Sequence, residues 1–176
     1  MQKPTWFLAY FLLGTAPAAA EVTINDQGFT TRNVVTIAAP PAQVWAALVA
    51  PARYWDPAHS YSSVAANLTL EPRAGGCFCE ALEGGGSVEH MRVVMVMPNR
   101  TLRLSGALGP LQSEGLAGAL TWQLEAADGG TRVTQTYVVG GNMRHDRAAI
   151  GPGVDAVLRE QLTRLAALFP RARESE

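Results

Sequence analysis

Apolar residues recur at two different periods along this chain, and the switch between them predicts its elements. Residues 29–38 carry Val34, Val35 and Ile37, the β-branched signature of a first strand. Pro40 and Pro41 then open a short segment in which Val44, Trp45 and Leu48 recur at helical spacing. A proline there costs nothing, because the first helical turn has no partner for its N–H. Pro51 starts a second short helical turn that carries Tyr54 and Trp55. Strand-like runs follow at 61–70, 77–82, 87–97 and 101–108, separated by turns at Gly75-Gly76, 83–86 and Pro98-Asn99. Residues 109–118 read as a glycine-rich loop or a broken strand. Alternation returns at 119–125, with Leu120, Trp122 and Leu124 on one face. Asp128-Gly129-Gly130 turns the chain into 132–139, where Val133, Gln135 and Tyr137 share a face.

The helical period comes back only at the end. Over 152–170, Val154, Val157, Leu158, Leu162, Leu165 and Phe169 form one stripe, with Asp155, Arg159, Glu160 and Arg164 on the other face. Such a helix would run about 27 Å, enough to cross a sheet. A single long helix after a meander of strands can bury its stripe only against that sheet. The pattern therefore predicts an α+β fold, and a curved sheet around one helix leaves room for a cavity.

The first twenty residues read as an export signal. Lys3 supplies charge, 6–13 is a short apolar run, and Ala18-Ala19-Ala20 is a cleavage site. The run is too short to span a bilayer. Domain expectations follow: a signal at 1–20, a polar lead-in at 21–32, one folded domain over 33–170 and a polar tail at 171–176. The mature chain would start at Glu21 and be periplasmic or secreted, with no stable membrane insertion. It would hold thirteen arginines, no lysine and fifteen acids, a net charge of −2. That near-neutral balance gives no electrostatic footprint for nucleic acid. Without lysine there is no imine chemistry and no lysine base.

Several segments resemble the START-like, or SRPBCC, helix-grip superfamily, which includes polyketide cyclases and the birch pollen allergen type. The resemblance rests on the run from Ala38 through Pro40-Pro41 to Val44-Trp45-Ala46-Ala47-Leu48, and on the segment from Pro51 to Trp55. Further matches are Pro72-Arg73-Ala74-Gly75-Gly76, Met97-Pro98-Asn99-Arg100-Thr101-Leu102 and Gly130-Thr131-Arg132-Val133-Thr134. The resemblance implies a curved antiparallel sheet of about seven strands around the last helix. Two short helices would follow the first strand, and a ligand cavity would lie between sheet and helix. Functions in that superfamily range from hormone and lipid binding to cyclisation, so the fold alone does not choose among them.

The densest polar site is the hairpin 77–82/87–97. A turn centred on Gly84-Gly85 would set Cys79 opposite His90, Cys77 opposite Arg92 and Glu80 opposite Glu89. Alternation then puts Cys77, Cys79, His90 and Arg92 on one face. Pairing of Val94 and Val96 with Leu104 and Leu102 makes that face the inner one, although a one-residue slip would reverse it. Two thiols and an imidazole allow a zinc site with an open position, a disulfide, or two buried cysteines beside a hydrogen-bonded histidine. A bridge across two residues of one strand lies near the upper limit of Cα separation. Glu80 and Glu89 would sit on the outer face.

Candidate ligand-binding residues are thus Trp55, His59, Cys79, His90, Arg92, Leu104, Trp122, Gln135 and Tyr137. His59 lies in a loop at the expected mouth, and a buried Gln135 needs a polar partner. No cofactor or resident metal is expected, and no P-loop, dinucleotide or serine-hydrolase motif occurs. The leading expectation is an exported protein binding a small apolar or amphipathic molecule. The alternative is a cyclase or dehydratase-type enzyme using His59 or His90 as acid/base.

Overall fold

A computed structural model describes residues 20–170. The signal expected at 1–20 therefore lies almost wholly outside the described residues, and the expected tail at 171–176 lies outside them entirely. Eight antiparallel strands form one curved, open sheet: β1 Ala20–Asn25, β2 Gly28–Ile37, β3 Leu68–Leu70, β4 Cys77–Ala81, β5 Ser87–Met97, β6 Thr101–Ser105, β7 Gly115–Ala127 and β8 Gly130–Asn142. Their order is β1-β2-β8-β7-β6-β5-β4-β3. The two helices are α1, Pro41–Leu48, and α2, Arg147–Ala167. The α+β architecture agrees with the sequence pattern.

The eighth strand is β1. The segment expected as a polar lead-in is a hairpin, with Ala20 paired to Asn33 and Asn25 to Gly28. The Asn25 side chain accepts from the Gln27 and Gly28 amides and closes its turn. After β2, Pro40 is extended and Pro41 begins α1, whose Val44, Ala47 and Leu48 are buried. The second short helix, Pro51–Arg53, is a single 3₁₀ turn. Of the run expected at 61–70, only β3 is strand.

The last helix starts a turn earlier than its proline indicates. Asp146 caps it by accepting from the Ala148 amide at 3.0 Å. Pro152 therefore lies inside α2, between two glycines. The helix packs on β2 and β1, and Gly151 sits over the Phe29 ring. Its buried side chains include Leu158, Leu162 and Leu165 but also Asp155 and Gln161. Asp155 was expected on the solvent face. It turns inward because Asn33 of β2 donates to it at 2.9 Å.

Register is where sequence arithmetic failed. Cys77 pairs with Arg92 and Phe78 with Met91, but Cys79 pairs with Glu89 and Glu80 with Val88. His90 is the extra residue of a β-bulge, a device that re-aims side chains and bends a strand. A second irregularity at Val94 interrupts the β5–β6 ladder.

Candidate functional site

The bulge sorts the hairpin's polar residues. Glu80, His90 and Met91 are buried on the concave side with Phe78. Cys77 and Cys79 lie on the other face and are bridged, with Cα atoms 5.4 Å apart. Of the three readings of the cysteines, the structure holds the disulfide. No cluster of metal-ligating side chains occurs among the described residues. Arg92 is exposed, bound to Glu89 and to the Gly75 carbonyl. The expected inner face is thus corrected: of its four residues Cys77, Cys79 and Arg92 face away, and only His90 faces in. Glu80 and Glu89, expected together outside, lie on opposite faces.

His90 Nε2 lies 2.9 Å from Glu80 Oε2, with both side chains almost fully buried. The same carboxylate accepts from the backbone amides of Tyr61 at 3.1 Å and Ser62 at 2.5 Å. Burial works to raise the Glu80 pKa. Hydrogen bonds from Ser62, Tyr61 and His90 outweigh it and hold the carboxyl at about 2. An ionised Glu80 can only accept, so Nε2 of His90 carries its hydrogen. The Phe78 and Tyr61 rings flank the imidazole, at 5.1 and 5.9 Å between centroids.

His90 forms part of the wall of a cavity of about 620 Å³. One side is the N-terminal half of α2, through Ala149, Ile150, Gly153, Val154, Val157 and Leu158. The other is built by the 55–61 loop and by Leu108, Gly109 and Pro110. Both loops are tied down. Asp56 caps the turn Pro57–His59 through the Ala58 amide, its own amide donates to Gln161 at 2.7 Å, and Arg164 reaches its carboxylate at 3.1 Å. Tyr61 spans the mouth, its hydroxyl donating to the Gly109 carbonyl at 3.1 Å. Behind the Leu108 loop, the Tyr137 hydroxyl accepts from the Leu108 amide and donates to the Gly106 carbonyl, each at 3.0 Å. Gly118 makes that crossing possible, since a Cβ there would strike the Gly106 carbonyl and lie 2.9 Å from the Tyr137 ring. The Glu114 carboxylate fixes the far end of this segment by accepting from Arg144 at 2.8 Å.

Of the expected binding residues, Trp55, His59 and His90 line the cavity. His59 sits at the rim, 3.2 Å from Glu160 of α2. Leu104 and Trp122 lie instead around a void of about 20 Å³ in the apolar core. Tyr137 acts from behind the wall, as above. Gln135 is not in the lining either: Asn33, its cross-strand neighbour, supplies the required polar contact at 3.4 Å. Sequence reasoning missed Tyr61, Leu108 and the inward role of Glu80. Val154 and Val157 were legible as part of the helix stripe.

The family model described as polyketide cyclase / dehydrase and lipid transport matches residues 28–170. No curated protein sequence matches the chain. Solved structures of the same fold include one from Mesorhizobium loti, at 22% identity and a TM-score of 0.57, covering 79% of this chain and 95% of that one. A Rhizobium leguminosarum protein is 24% identical, with a TM-score of 0.54 and coverage of 86% and 99%. A Mycobacterium smegmatis protein is 17% identical, with a TM-score of 0.58 and coverage of 90% and 100%. These likenesses establish the fold alone.

Proposed function

The chain belongs to the polyketide cyclase / dehydrase and lipid transport family, and we propose that it is an exported protein that holds one small apolar or amphipathic molecule between α2 and the sheet. The observation that carries this reading is the 620 Å³ cavity with largely aliphatic and aromatic walls and a single buried histidine. That volume suits a drug-sized ligand, and a few placed polar groups in an apolar wall are what fixes a ligand's orientation. Among the described residues no helix is long and apolar enough to cross a membrane.

A native mass spectrum of protein purified from its own host tests occupancy. Retained organic mass supports the reading, and empty protein that takes up no apolar probe contradicts it. Export is tested by N-terminal sequencing: the proposal expects Glu21 first, and an intact Met1 on soluble protein counts against it.

The second reading is an enzyme of the cyclase or dehydratase kind in the same cavity. The Glu80–His90 contact favours it, and favours His90 over His59, because His90 and its carboxylate are buried whereas the His59–Glu160 pair lies exposed at the rim.

A further inference from the structure

The chain's two cysteines are joined to each other on the face of the sheet turned away from the cavity. Both are half-exposed, and neither lines the cavity under α2 or the small core void. The bridge has no structural task that the strand leaves undone. It spans a single residue, so it removes little freedom from the unfolded chain. That residue, Phe78, is already buried in the core. Cross-strand pairing already holds Cys77 beside Arg92, and Cys79 between Glu89 and Thr69. Only the three-residue strand β3 separates β4 from the edge of the sheet. Exposed bridges of this kind, which contribute little to stability, are the ones that exchange.

Charge distinguishes the two sulfurs. Across from Cys77 stands Arg92, whereas Glu89 stands across from Cys79. Arg92 is held there by Glu89 and by the Gly75 carbonyl at 3.0 Å. The loop between β3 and β4 adds a self-contained ion pair, Glu71 with Arg73 at 2.7 Å. A thiolate is therefore favoured at Cys77 over Cys79. The sulfur that leaves more easily directs attack to its partner.

We propose that the Cys77–Cys79 bridge is an exchange site that oxidises paired cysteine thiols of a reduced polypeptide. It is independent of the cavity and draws on the proposed export only for oxidising surroundings. A substrate thiolate attacks Cys79 Sγ and forms a new S–S bond there. The Cys77–Cys79 bond breaks, and its electron pair leaves on Cys77 beside Arg92. The substrate's second thiolate then attacks the substrate sulfur of this mixed disulfide, and Cys79 leaves with the electron pair. The substrate loses two electrons, the bridge gains two, and the two substrate protons end on Cys77 and Cys79. A small disulfide such as oxidised glutathione restores the bridge and becomes two thiols. An open face without a pocket suits a flexible chain as the substrate.

The test takes the purified full chain, bridged beforehand with oxidised glutathione. It is mixed without oxygen with a synthetic peptide carrying two cysteines, then quenched in acid, alkylated and weighed by mass spectrometry. The peptide is expected to lose two hydrogens as the chain gains two, in equal amounts. The folded chain should react within about tenfold of the rate of the urea-unfolded chain, since access is open. Arg92→Gln should slow the transfer about two- to fivefold at low salt, the worth of an exposed charge, and Arg92→Lys should restore most of it. A merely structural Arg92 would not give that charge-dependent rescue. The reduced chain should keep its urea midpoint. A folded chain that keeps its bridge while the unfolded chain surrenders it overturns the proposal, as does a large fall in the urea midpoint on reduction. An unchanged rate in Arg92→Gln overturns the assignment of Cys77 as the leaving sulfur. None of these outcomes depends on dye binding or on the chain's first residue, so the cavity and export readings are judged separately.

Discussion

Helix α2 meets two different interiors along its length. Under its C-terminal half, Leu162 and Leu165 are buried in a continuous apolar core. Under its N-terminal half, Ile150, Val154 and Val157 face about 620 Å³ of cavity. The packed end is also fastened: Gln161 accepts from the Asp56 amide, and Arg164 donates to the Tyr54 carbonyl at 2.8 Å. One helix thus serves as both clamp and lid. Interiors pack as densely as organic crystals, so the unfilled half forgoes contacts that the filled half must supply.

The largest expected effect comes from breaking the packed end. Leu165→Ala should lower stability by about 2–5 kcal/mol in urea melts, the usual loss for a buried leucine. Val157→Ala at the cavity end should lose under about 1 kcal/mol, because the methyls removed already face space. Equal losses would erase the distinction between the two ends.

Gly118→Ala should lose about 1–3 kcal/mol through overpacking, since its new Cβ meets the Gly106 carbonyl and the Tyr137 ring. Weaker dye binding should accompany the loss, because Tyr137 holds the Leu108 wall. Denaturant melts and dye titration check both arms.

Acid sharpens the comparison from the cavity side. Glu80 has a folded pKa of about 2 against an ordinary 4.5, so its ionised form favours the folded state. That contribution is fully present above about pH 4.5 and is lost as pH falls toward 2. Glu80→Gln should be less stable than wild type at neutral pH and lose less over that acid window. Parallel acid limbs for the two proteins would show that the carboxylate does not stabilise the cavity floor.

These residues also show what was legible in the sequence. The long alternation at 87–97 and the stripe on the last helix needed only periodicity, and both elements stand where it put them, the helix gaining a turn at its start. Pro152 misplaced that start because proline is common at the first helical position. Here Asp146 caps the helix one turn earlier instead. The cavity floor was illegible because strand irregularities insert a residue with no local signature. The one at Val94 leaves Val93, not Val94, paired with Leu104, so the arithmetic carried Cys79 and Arg92 inward and Glu80 outward, while the bulge at His90 turns that residue alone to the inner face. Asp155 misled similarly, since its burial depends on Asn33, 122 residues away in sequence.

The smallest expected change in stability goes with the most direct test of the account. Val157→Trp places an indole into the cavity, where space already exists, and should shift stability by under about 1 kcal/mol. The measurement is a fluorescence titration of an apolar dye against wild type and this variant. The account predicts saturable one-to-one binding to wild type and at least a tenfold loss of affinity, about 1.4 kcal/mol, in Val157→Trp. Equal affinity in the two folded proteins would contradict it.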